Sequence, residues 1–101
     1  MLKKITLILT LLCMLVLTAT GSSRRFTLVI DPGHGGHVVG ARGAISKEKN
    51  INLSVALQFG KYVERNMPDV RVIYTRKTDV FIPLKQRANI ANRANADLFI
   101  S

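Results

Sequence analysis

The stretch Phe26-Thr27-Leu28-Val29-Ile30-Asp31-Pro32-Gly33-His34-Gly35-Gly36 decides the fold. Its first five residues form a compact apolar run rich in β-formers, and the run stops abruptly at Asp31-Pro32-Gly33, as a strand feeding a loop does. Between Asp31 and Ser46 come Gly33, Gly35, Gly36, Gly40 and Gly43, one proline and little periodicity, so a long loop with a functional role is predicted. A histidine between glycines at the C-terminal end of a strand has room for a ligand, because glycine lets backbone approach closely and take positive φ. Ligands of open α/β sheets bind at that end of the strands.

Downstream, Ile51, Val55, Phe59 and Tyr62-Val63 recur at helical spacing, with Ser46 as the expected N-cap and Asn66 and Pro68 as the stop. Val70 to Thr75 alternates and is β-rich, which predicts a second strand. A loop from Thr78-Asp79 leads to Pro83, which suits the first turn of a second helix. On that helix Leu84, Ala88, Ala91 and Asn95 share a face with Ile90 alongside, and Leu98 to Ile100 opens a third strand. Strand, helix, strand, helix, strand predicts an α/β sandwich with a mixed or mostly parallel central sheet flanked by helices, incomplete in this chain.

Upstream, residues 1–21 have the order of a secretory signal. Lys3 and Lys4 are its positive start, Ile5 to Leu17 its apolar run, and Ala19 and Gly21 the small residues that place cleavage after Gly21. The alternative is an uncleaved membrane anchor, but the run is short of the roughly 20 residues that span a bilayer. Cys13 lies inside it, with Leu12 where a lipoprotein signal wants a small residue, so Cys13 reads as filler. Residues 22–101 hold no cysteine and must rely on a core or a metal. The net charge of +9 falls by two, to +7, without Lys3 and Lys4. That excess is spread along the chain, which suits anionic envelope polymers or a plain solvated surface. Nucleic acid is a poor fit, since export leads away from it and no basic run is interleaved with aromatics.

His34 alone supports either a ligand or an exposed loop residue. Glu48, fourteen positions later in the predicted first helical turn, is favoured there by the helix dipole in any case. Together they supply an imidazole nitrogen and a carboxylate oxygen, one donor short of the three protein ligands of a catalytic zinc. His37 could complete the set but reads as a loop residue. A phosphate cradle is disfavoured, because the loop has neither the P-loop ending nor the G-x-G-x-x-G spacing.

Val29-Ile30-Asp31-Pro32-Gly33-His34-Gly35-Gly36, Gly40-Ala41-Arg42-Gly43 and Lys47-Glu48-Lys49-Asn50 together resemble the zinc-dependent N-acetylmuramoyl-L-alanine amidases. Tyr74-Thr75-Arg76, Asp79, Leu84, Arg87, Ala91-Asn92 and Ala96-Asp97-Leu98-Phe99-Ile100-Ser101 extend the likeness over nearly all of residues 22–101. The resemblance implies that His34 and Glu48 are ligands to Zn2+. It also implies a third ligand, a histidine just past Ile100-Ser101, and a general-base glutamate further on, both beyond Ser101. The implied reaction is hydrolysis of the amide joining N-acetylmuramic acid to L-alanine of the peptidoglycan stem peptide. The implied partner is peptidoglycan, and the implied setting is the periplasm, cell envelope or exterior, for a monomer with no stable membrane insertion after signal cleavage. Arg76 and Arg87 match family arginines and are expected to pack and anchor loops. Val38 stands where the family commonly has aspartate. A non-catalytic envelope module with a degenerate amidase fold is the alternative. Domains of about 60 residues bury only about 60% of their chain surface, so residues 22–101 alone are expected to be poorly stable and inactive.

Overall fold

The computed structural model describes residues 2–20 and 24–101, so the expected cleavage point after Gly21 lies outside the described residues. Helix α1 spans Leu2–Thr20. Its described side chains, through Cys13, are exposed. Among the described residues no helix is long and apolar enough to cross a membrane. The order then runs β1 (Phe26–Ile30), α2 (Glu48–Asn66), β2 (Val70–Tyr74), α3 (Leu84–Arg93) and β3 (Leu98–Ile100).

The three strands form one sheet in the order β2-β1-β3, and both pairings are parallel. The α/β expectation holds, and the sheet is wholly parallel where a mixed one was also allowed. Phe26 to Ile30 lie opposite Val70 to Tyr74, and Leu28 to Ile30 opposite Leu98 to Ile100. A central parallel strand is covered on both faces, which explains why β1 is a continuous apolar run. Leu28 and Ile30 cluster with Ala56 and Val63 of α2, flanked by Val70, Val72 and Tyr74 of β2. Val29 points to the opposite face and is fully buried.

Three local expectations are corrected. Ser46 is not the cap of α2; Lys47 holds that position and makes no side-chain cap bond. The loop backbone replaces it: the first amides, of Glu48 and Lys49, donate to Ala41 O at 2.9 Å and Val39 O at 3.0 Å. Pro83 is the cap residue of α3, one position ahead of the first turn.

The third correction concerns the faces. Of the residues at helical spacing Val63 is buried, while Ile51, Val55, Phe59 and Tyr62 are exposed, and Lys49, Ala56 and Gly60 complete the buried side of α2. Small residues let the helix settle close to the sheet. A Cβ on Gly60 would overlap the Tyr74 phenol oxygen, so glycine is required there. Burial of that phenol, with Glu64 nearby, pushes its pKa up. The larger residues reach past β1: Val55 and Phe59 line an open groove of about 600 Å³ with Ile30 and Ile100. Across the sheet, Leu84, Ala88 and Ala91 of α3 line a second groove beside Phe99.

Candidate metal site

The site forms where β1 ends. Asp31 N donates to Ile100 O at 2.7 Å, tying the strand end to β3. The chain then turns, and His34 takes φ +61°, a left-handed conformation that costs a non-glycine residue about 1 kcal/mol or more. Its carbonyl is held there by Arg87 Nη2 at 2.7 Å.

Glu48 is the first residue of α2. It trades two bonds with Ala41: Glu48 N donates to Ala41 O, and Ala41 N donates to Glu48 Oε2 at 2.8 Å. That exchange fixes the carboxylate and leaves Oε1 facing His34 Nε2 at 3.1 Å. The Ala41 N–H, and then the His34 side chain, hold the Glu48 carboxyl below the usual glutamate range. Near neutral pH it is the anion that a metal ligand has to be.

Gly40 backs the pair. It sits at φ +74°, and a Cβ there would come within 2.6 Å of Glu48 Oε2 and 2.7 Å of His34 Cδ2. Any larger residue would push between the two side chains.

The donor pair fits zinc. Two ligands at about 2.0–2.1 Å on a tetrahedral ion lie about 3.3 Å apart, close to the separation observed. Both side chains are partly exposed, 35% and 41%, beside the α2 groove. Among the described residues no group of three or more His, Cys, Asp or Glu converges. His37 stays away from the pair and packs its ring on Phe81, with centroids 4.5 Å apart.

Buried polar side chains hold this arrangement. Asp31, 7% exposed, accepts from Thr75 Oγ1 (2.7 Å), Arg87 Nη1 (2.9 Å) and Ser101 Oγ (2.9 Å). Arg87 also donates to Pro32 O and Ile82 O. Arg76 donates to the carbonyls of Pro32, Gly33, Lys49 and Thr78. Burial, and then the neighbouring Arg87, lower the pKa of Arg76, with Asp79 and Asp31 opposing. Arginine starts so high that the charge survives. Both arginines therefore anchor the loop, as expected from sequence.

One element escaped sequence reading. Lys49 is buried, and its Nζ donates to Gly36 O at 3.0 Å and Asp79 Oδ2 at 2.7 Å, while Gly36 N donates to Asp79 Oδ1 at 2.9 Å. The Lys49 and Gly36 N–H donors hold the Asp79 carboxyl below its ordinary value. A lysine on the first turn of a helix looks like a solvated charge, so no sequence signal marked this clamp. At Val38 the turn is closed by two backbone bonds exchanged with Gly35, and the Asp79 carboxylate braces the same turn at Gly36 N.

A wholly parallel sheet between helices, with a histidine–glutamate pair at the carboxyl end of its central strand, places the chain in the α/β class. The sequence profile of N-acetylmuramoyl-L-alanine amidases matches residues 28–101, and the chain belongs to that family. It is 42% identical to the amidase AmiA of Escherichia coli K12 over 84 residues, which are 82% of this chain and 28% of that protein. To the sporulation-specific amidase of Bacillus subtilis 168 it is 36% identical over 74 residues, 73% of this chain and 29% of that protein. The catalytic domain of CwlV from Bacillus (Paenibacillus) polymyxa var. colistinus superposes with a TM-score of 0.70 at 38% identity, covering 73% of this chain and 42% of the other. AmiC2 of Nostoc punctiforme gives 0.70 at 37% identity, covering 77% and 43%. The chain thus spans under a third of these two curated relatives and under half of these two solved chains.

Proposed function

We propose that this chain supplies two zinc ligands, His34 and Glu48, of an exported N-acetylmuramoyl-L-alanine amidase acting on peptidoglycan. The observation that carries the reading is the 3.1 Å approach of His34 Nε2 to Glu48 Oε1 at the carboxyl end of β1. The third ligand and the general-base glutamate belong to sequence after Ser101. Residues 1–21 act as the signal that delivers the chain to the envelope. Residues 22–101 alone do not turn over substrate.

Bound here, zinc would lower the pKa of a water to about 7 and polarise the amide carbonyl. The chain's own residues prepare for that. Ala41 N–H keeps the Glu48 carboxyl ionised and aimed, Arg87 holds His34 in its left-handed turn, and Gly40 leaves space between the two ligands.

The test is release of stem peptides from purified cell walls by a protein extended past Ser101. Activity should vanish on chelation, return with zinc, and be absent in H34A and E48A. Full activity in H34A, or after complete chelation, would remove the zinc assignment. Zinc bound without any turnover would support the non-catalytic envelope module instead.

A further inference from the structure

The two donors come from different elements, a glycine-rich loop and the start of a helix, and a side chain from a third element ties them together. Arg76 follows β2 and is 4% exposed. Its Nη2 alone donates to two carbonyls, Gly33 O at 2.9 Å and Lys49 O at 3.0 Å. Gly33 is the residue before His34, and Lys49 is the residue after Glu48. Nε and Nη1 fix the guanidinium itself, on Pro32 O and Thr78 O, both at 2.9 Å. Four of its five N–H groups are thus committed, and the planar fork cannot swing away.

We propose that Arg76 is a positioning residue that sets the spacing of the His34–Glu48 pair, by bridging the backbone carbonyl next to each ligand. This rests on the zinc reading above. Arg87 does not share the role: its partners are Asp31, Pro32, His34 and Ile82, and none lies on α2. The other side-chain link between the ligand loop and α2 at Gly33 is longer, from Asn52 Nδ2 to Gly33 O at 3.3 Å, and more exposed. Without Arg76, the spacing would depend on the Lys49 Nζ–Gly36 O bond (3.0 Å), which ties α2 to the loop on the far side of His34, and on segment 35–47, which is mostly exposed and has three glycines at positive φ. Lysine at position 76 keeps the charge but offers no fixed fork to span two carbonyls.

The experiment uses the protein extended past Ser101 and Zn2+ alone as probe, in competition with a chromophoric chelator, beside metal-free urea unfolding. R76K should bind Zn2+ about 10- to 100-fold more weakly than the parent, the usual cost of losing a group that orients ligands. V63A removes core methyls from α2 far from both ligands; it should lose stability yet keep the parent's affinity. Parental affinity in R76K, or an equal loss in V63A, overturns the proposal. Should R76K fail to fold, R76Q takes its place, and a loss in the same range is expected because its single amide cannot hold all the carbonyls the guanidinium holds. Parental affinity in R76Q would then overturn the proposal. A parent that binds no Zn2+, or binding untouched by H34A, sinks the zinc reading and this proposal with it. Binding that needs His34 but not Arg76 sinks this proposal alone.

Discussion

Ile30 and Ile100 are the same residue on the same face of adjacent strands, directly opposite in register, yet 3% and 36% exposed. The flank of β1 toward β2 is closed, with Ala56, Gly60 and Val63 of α2 set down on Leu28, Ile30, Val72 and Tyr74. The flank toward β3 is open: Leu98, Phe99 and Ile100 are all exposed, with a groove on each face of the sheet. Burial here follows from whether a second layer covers the strand, not from residue type. The His34–Glu48 pair sits on the border between the two regimes, with its supports Arg76 and Thr75 on the closed side.

The largest effect should come from testing that contrast directly. I30A should cost about 2–5 kcal/mol of unfolding stability, the range for emptying a core site. I100A should cost about 1 kcal/mol or less, as at a surface position. Urea unfolding of both variants reads the difference, and equal losses would break the comparison.

Next in size is G60A. Overpacking against Tyr74 should destabilise by about 1–3 kcal/mol, although alanine in a helix gains about 1 kcal/mol over glycine. Adding Tyr74→Leu to G60A should recover part of the loss. A more stable G60A would show that the helix can lift off the sheet without cost.

The smallest effect concerns the pin that holds β3 to β1. Asp97 Oδ2 accepts from Thr27 N at 2.7 Å and Oδ1 from Arg24 at 2.8 Å, and these donors, Thr27 first, lower its pKa. A carboxyl whose folded pKa lies below its unfolded one stabilises fully above the ordinary aspartate value of about 3.9. That contribution is lost as pH falls through the lowered value. Urea midpoints followed from about pH 5 to about pH 2 should therefore fall further in the parent than in D97N. Identical falls would mean that Asp97 does not tie the open strand down.

Much of this was legible in the chain. β1 is a buried run cut off by Asp-Pro-Gly, and that break alone placed His34 at a strand end. Periodicity found α2, β2, α3 and β3 nearly to their ends. The side-chain faces were less legible, because helical spacing shows which residues share a face but not where the sheet beneath them stops. Val55 and Phe59 share the helical spacing of buried Val63, yet they lie exposed beside an open groove. The cap of α2 was misplaced because loop carbonyls, distant in neither sequence nor space, did the work assigned to Ser46.

The sequence by itself determined the α/β order and the glycine-rich turn, since those depend on local composition and short-range periodicity, while the choice of His34 and Glu48 came from the family resemblance. Only the tertiary structure decided how closely His34 and Glu48 approach, which carbonyls Arg76 and Arg87 hold, and that Lys49 is a buried clamp and not a solvated charge. Such roles depend on which carbonyls and carboxylates the fold brings within about 3 Å, the range in which hydrogen bonds form.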